Sequence, residues 1–184
     1  MEPIRIVLAN HHPIIRSNLR LLLERESAFR VIGEAADGRE AVALVEYRRP
    51  DVVLLDVQLP PLNGISTARE IASKRRSERH GVGIIFVTVL TDQEYVSEAL
   101  RAGARGYVLE DAASADLFRG IRAVAGGGSF LSPAIGQKLL EEHLAKRPGN
   151  GLISEHEKQQ EMAVMLQRMG APAEIWDSIR DAPV

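Results

Sequence analysis

Between Ile4 and Val124 short apolar runs alternate five times with longer segments of helical spacing. The runs Ile4–Ala9, Val31–Ala35, Val52–Asp56, Ile84–Thr88 and Tyr107–Leu109 are rich in Val, Ile and Leu, and three are nearly continuous in apolar residues. Strands buried on both faces of a parallel sheet read in this way. The intervening segments carry apolar residues on one helical face: Ile15, Leu19, Leu22 and Leu23 after Pro13; Ala41, Leu44 and Val45 between Asp37-Gly38 and Pro50; Ile65, Ala68, Ile71 and Ala72; Tyr95, Val96, Ala99 and Leu100 before Gly103; and Leu117, Phe118, Ile121 and Val124 before Gly126-Gly127-Gly128. Strand then helix, repeated with right-handed crossovers, predicts one parallel sheet with helices on both faces. The expected fold class is α/β, a flavodoxin-like (βα)5 doubly wound sheet. A short helical C-terminal extension is expected to follow.

At 184 residues the chain has room for one such domain and an appendage. The expected division is 1–128 for the strand–helix domain and 129–151 for an extra helix, from about Pro133 to Ala145, with the linker Lys146–Gly151. A helical tail fills 152–184. In the tail Met162, Met165, Leu166 and Met169 share one helical face, Gly170 and Pro172 break that helix, and Ile175, Trp176 and Ile179 mark a second. Apolar content of 45% and charged content of 26% are those of an ordinary globular protein. Cysteine is absent, which excludes a disulfide framework and thiolate chemistry. The first residues show no signal-peptide pattern, and no apolar run approaches a membrane span. A cytoplasmic location is expected. The net charge of −2 gives no general attraction to nucleic acid. The one basic cluster, Arg75, Arg76, Arg79 and His80, fits a solvated helix end.

Ligands of open parallel sheets bind outside the carboxyl ends of the strands. Asn10, His11 and His12 follow the first run, Asp56 ends the third, Thr88 the fourth, and Glu110 follows the fifth. These groups are expected on one rim. A carboxylate at a strand end suits a nucleophile or metal ligand, and equally a turn or helix cap. Thr88 fits an ordinary strand threonine as well as a functional hydroxyl.

The segment Pro50-Asp51-Val52-Val53-Leu54-Leu55-Asp56-Val57-Gln58-Leu59-Pro60 resembles the phosphoacceptor region of two-component response regulator receivers. So do Val31–Gly38, Gly103–Leu109 and Ala125–Pro133. Together they look like the NarL/FixJ class with LuxR-type output domains, over about residues 3–145. The resemblance implies that Asp56 is the phosphoacceptor, Thr88 the hydroxyl that contacts the phosphoryl group, and Tyr107 the switch aromatic. Receivers of this kind carry an acidic pair after the first strand that holds Mg²⁺, and a Lys after the fifth. Here Asn10 and His11 stand in place of the pair and Glu110 in place of the Lys, while His12 and Pro13 keep the register.

A neutral amide and an imidazole are poor ligands for a hard cation. Asp56 with the Gln58 backbone offers at most a weak Mg²⁺ site. Phosphoryl transfer relies on neutralising charge, and Glu110 adds charge of the wrong sign. No cofactor, no metal and no enzymatic activity are therefore expected, and Asp56 is expected to be phosphorylated poorly or not at all. A protonated His11 paired with Asp56 or Glu110 would stand in for the missing cations. Another reading makes His11, His12, Asp56 and Glu110 a Zn²⁺ or Ni²⁺ site, against which neighbouring His side chains on an extended chain point apart. A neutral His11 without special role is the third.

The expectation is an atypical, phosphorylation-independent receiver that signals through protein contact. Its partner would be a second copy, another regulator or a sensor kinase. The family's dimer face would include Val96, Leu100, Tyr107 and Leu117. Alternatives are a conventional phospho-Asp56 switch and a transcription regulator with a reduced DNA-binding module. Leu152–Ile179 faintly resembles the first two helices of a LuxR-type helix-turn-helix, and the recognition helix expected after them is not found. With five basic against six acidic residues after Ala145, this stretch is not expected to bind DNA alone. Its Met-rich face suits packing on the receiver or docking to a protein.

Overall fold

A computed structural model describes residues 2–74, 81–145, 155–169, 171, 172 and 175. The strands are β1 (Ile4–Ala9), β2 (Phe29–Ala35), β3 (Val52–Leu55), β4 (Gly83–Thr88), β5 (Gly106–Leu109) and β6 (Phe130–Leu131). The helices are α1 (Pro13–Glu24), α2 (Gly38–Arg48), α3 (Gly64–Lys74), α4 (Gln93–Arg101), α5 (Ser114–Ala125), α6 (Pro133–Ala145) and α7 (Glu155–Arg168). All strands pair in parallel in the order β2-β1-β3-β4-β5-β6. This is the flavodoxin-like doubly wound arrangement, extended by one strand. Chain order reverses between β1 and β3, and the cleft at that switch point is where such sheets bind ligands.

The sixth strand corrects the expectation of five. Phe130 and Leu131 pair with Gly106 and Tyr107, and Ser132 N donates to Tyr107 O at 3.0 Å. Two residues between a glycine run and Ser132-Pro133 are too short for any periodicity, and only the neighbouring strand reveals them. Sheet and core therefore continue past residue 128.

Two apolar layers flank the sheet. On one face Leu23 of α1 and Leu117, Ile121 and Val124 of α5 pack on Ile6, Leu8, Leu54, Ile85 and Val108. On the other, α2, α3 and α4 pack on Val7, Val53, Leu55, Ile84, Phe86 and Tyr107. The same second cluster takes in Ile135 and Leu139 of α6, then Met162, Met165, Leu166 and Met169, all buried. The Met stripe therefore faces inward, on the side of the sheet that α6 covers. Ile175 is also buried there, whereas Gly170, Trp176 and Ile179, the linker and the Arg75–His80 cluster lie outside the described residues.

Burial corrects the expected dimer face. Val96, Leu100, Tyr107 and Leu117 are 0%, 5%, 0% and 4% exposed. They are core residues: the apolar stripes of α4 and α5 turn toward the sheet, and Tyr107 lies within β5 itself. Exposed apolar side chains are instead Ile14 and Leu21 on α1, Tyr47 on α2, Val89 after β4, Tyr95 on α4 and Val164 on α7.

Local chemistry sets the helix ends. Pro13 opens α1, where a missing N–H costs nothing. Asp37 caps α2 by accepting from Glu40 N at 2.9 Å, and Glu40 reaches back to Ala36 N at 2.8 Å. That helix ends at Arg49, which takes the left-handed conformation at φ 49° usually left to glycine. The Arg5 guanidinium satisfies the end by donating to the carbonyls of Arg48 and Arg49.

Candidate functional site

Asn10 leaves β1 at the switch point. Its backbone N–H donates to Ala35 O at 3.2 Å, and Arg16 Nη1 donates to its carbonyl at 2.6 Å. The Asn10 side chain is buried and used at both ends. Its Oδ1 accepts from His12 N at 2.8 Å, and its Nδ2 points to Glu110 Oε1 at 3.5 Å. The amide thus caps the turn into α1, a job that a carboxylate could also do.

Asp56 follows β3, with its backbone N–H bonded to Ala9 O at 2.9 Å and only 5% of the residue exposed. Across the cleft His11 Nδ1 lies 3.6 Å from Asp56 Oδ2. That is beyond hydrogen-bond length, and Nδ1 is a buried atom with no hydrogen-bond partner. Protonation of the imidazole would turn the approach into an ion pair. Behind Asp56 the chain needs glycine at position 64, since a Cβ there would meet Asp56 O at 1.9 Å. Gly64 N bonds to Val57 O at 2.8 Å and Asn63 Oδ1 accepts from Ser66 N at 2.7 Å, which starts α3 beside the acidic residue.

The His11 and His12 rings lie together, with centroids 3.7 Å apart and planes tilted by 44°. The expectation that they point apart fails because the chain bends at His11 on leaving β1, and alternation of side chains ends with the strand. Among the described residues no three His, Asp or Glu side chains are grouped so as to hold a metal ion.

Thr88 ends β4 and is fully buried, and its Oγ1 accepts from Leu90 N at 3.4 Å. Tyr107 on β5 is fully buried, and its hydroxyl donates to Leu90 O at 2.9 Å. The same loop is held a third time, by Lys138 of α6 on Thr91 Oγ1. Burial, helped by the nearby Asp56 charge, pushes the Tyr107 phenol well above its ordinary range, so it stays a neutral donor. Glu110 follows β5 with its N–H on Thr88 O at 3.1 Å. Its carboxyl is pushed above the usual range by burial first and by the Asp56 charge second, against smaller opposite effects of Asn10 and His11.

Asn10, His11, Asp56 and Glu110 thus meet at one cleft, and Thr88 and Tyr107 join through the loop at Leu90. Gln58 is exposed on the loop beyond Asp56. Two contributors escaped notice in the sequence: Arg16 and the Leu90 carbonyl. Arg16 had a signal, since it stands one helical turn after His12. The Leu90 carbonyl acts through the backbone, which leaves no mark on residue type.

Residues 6–122 match the family described as response regulator receiver domain. The chain belongs to that family. A transcriptional regulatory protein of Bacillus subtilis, YxjL, is 36% identical over 141 residues, 77% of this chain and 63% of its own length. The nitrate/nitrite response regulator NarL of Escherichia coli K12 is 34% identical over 134 residues, 73% of this chain and 60% of its own length. The chain thus spans about 60% of the curated relatives it matches. Among solved structures, a LuxR-family two-component response regulator from Aurantimonas sp. SI85-9A1 superposes with a TM-score of 0.71 at 34% identity, covering 77% of this chain and 99% of the other.

Proposed function

We propose that this receiver signals without Mg²⁺ and without phosphorylation of Asp56, through contact with a protein partner. Membership of the family supports a place in two-component signalling. The observation that carries the rest is the occupancy of the cleft. Where a hard cation would need carboxylate oxygens, Asn10 is spent on His12 and Glu110, and His11 stands 3.6 Å from Asp56. Asp56 with the Gln58 backbone is too sparse a donor set, and the metal does not fit. Glu110 places a second carboxyl where charge neutralisation would be needed. No catalytic activity is assigned, and the His11 imidazole is the group that faces Asp56 across the cleft.

The names of the relatives connect the family to transcriptional control, and a role there for this chain, through a homodimer or a complex with a regulator or kinase, belongs to the same proposal. The described residues contain no helix long and apolar enough to cross a membrane. A cytoplasmic location completes the reading.

A conventional phospho-switch is the second reading, favoured by Thr88 and Tyr107 around the Leu90 loop. Incubation with acetyl phosphate and Mg²⁺, followed by phosphate-affinity electrophoresis and intact mass, separates the two. Unmodified protein is expected. A Mg²⁺-dependent phosphoryl adduct on Asp56 establishes the conventional switch instead.

A further inference from the structure

At the end of the sheet opposite Asp56, β1 and β2 place two arginines side by side. Arg5 and Arg30 are direct partners in the parallel register, so their side chains leave the same face of the sheet. Like charges directly opposite are unfavourable in a sheet. Arg48, from the end of α2, turns toward the same corner, and the three arginines line a cavity of about 530 Å³. Its wall is apolar at Pro3, Val31 and Ile32, and one carboxylate, Glu2, stands at the edge.

Among the described residues, Arg30 and Arg48 belong to the arginines of this surface without a carboxylate partner, whereas Arg16, Arg20, Lys74, Arg119 and Arg122 each have a carboxylate in ion-pair reach. Arg48 rests beside the Tyr47 ring, 5.4 Å from its centroid. The Arg5 guanidinium is committed to the carbonyls of Arg48 and Arg49, which fixes the floor of the corner and leaves Arg30 and Arg48 to act on a ligand. The Arg5 backbone N–H donates to Asp51 Oδ2 at 2.7 Å, but among the described residues no carboxylate holds either guanidinium of the pair, and such a like-charge pair on neighbouring strands costs stability unless an anion relieves it. Guanidinium groups recognise phosphate oxygens through paired N–H donors. A volume of this size admits more than a bare phosphate, and the apolar wall suits an uncharged body attached to it.

We propose that this corner binds a small phosphate-bearing molecule of nucleotide size, its phosphates on Arg30 and Arg48 and its body against Val31 and Ile32. The site is separate from the Asp56 cleft and gives the receiver a chemical input at its other end.

Titration of the full chain with ADP, and separately with pyrophosphate, followed by backbone amide NMR, tests it. Saturable shifts at Arg30, Ile32 and Arg48 are expected at physiological ionic strength, with ADP binding more tightly than pyrophosphate. The double variant Arg30→Gln/Arg48→Gln should fold normally and bind ADP about a hundredfold more weakly, the loss of two charge-assisted contacts. Arg101→Gln, which removes an exposed arginine of α4, should bind as the parent does. Equal affinity for pyrophosphate and ADP overturns the role of the apolar wall and makes the ligand an inorganic polyphosphate. Absence of saturable shifts at about 10 mM of either probe, or unchanged binding by the double variant, overturns the site.

Discussion

Two groups of residues share the carboxyl rim of the sheet and are held there by different forces. Thr88 and Tyr107 are fully buried, and Tyr107 lies 6.0 Å from Phe86, centroid to centroid, in the core beneath α4. Asn10, His11 and Glu110 stand on the turns that leave β1 and β5 and are fixed by a few polar contacts. Packing resists changes in the first group because every exchange alters volume inside a dense interior. The second group tolerates changes of charge as long as the turn is still capped. A receiver can therefore keep the shape of its site while its electrostatics are rewritten.

The sharpest way to break that contrast is to restore the family's charges. Asn10→Asp/His11→Asp/Glu110→Lys should leave the fold intact, because a carboxylate at position 10 can still cap the turn and His11 and Glu110 are only partly buried. Mg²⁺-dependent labelling of Asp56 by acetyl phosphate should then appear where none is expected of the parent, as read by intact mass. A triple variant that folds and stays unlabelled would mean that loop geometry, not charge, silences the site.

The buried group is tested by truncation. Tyr107→Ala should lower stability by about 3–5 kcal/mol in urea denaturation, as expected for an emptied aromatic site. Tyr107→Phe should lose only about 1 kcal/mol, for the bond to Leu90 O. Equal losses would place the hydrogen bond, not the packing, in control of the residue.

The smallest effect concerns Glu110. Its carboxyl is held above its ordinary range in the folded chain, so the native state binds this proton more tightly than the unfolded state does. The resulting stability is complete below the unfolded value and is lost as pH rises through the higher folded value. Glu110→Gln should flatten that part of the stability–pH profile and be slightly more stable at neutral pH, as measured by thermal unfolding in a pH series. An unchanged profile would free Glu110 from any conflict with Asp56.

Sequence patterns carried much of this architecture because it rests on burial. Ile4–Ala9 was legible residue for residue, and Pro133–Ala145 as a helix, since apolar content and proline placement are local signals. Phe130–Leu131 was not legible, because a two-residue strand exists only through its neighbour. The stripe of Val96 and Leu100 was visible, but periodicity alone does not say whether a stripe meets core or partner, and the core claimed it. At the cleft, residue types singled out Asn10, His11 and Glu110, and the structure sets Asn10 against Glu110 and His11 against Asp56. The contacts between them depend on a bend at His11 that no spacing encodes.

The methionine face of α7 has a consequence in redox chemistry. Met162, Met165 and Met169 are each less than 5% exposed, shielded in the apolar cluster that includes Ile135 and Leu139. A thioether in that position meets peroxide slowly, and once oxidised its polar sulfoxide no longer suits an apolar contact. The rate at which these three sulfur atoms oxidise is therefore a clock for how often the helix leaves its seat. Each oxidation makes the return harder, so that a reversible departure becomes a lasting one until the sulfoxide is reduced.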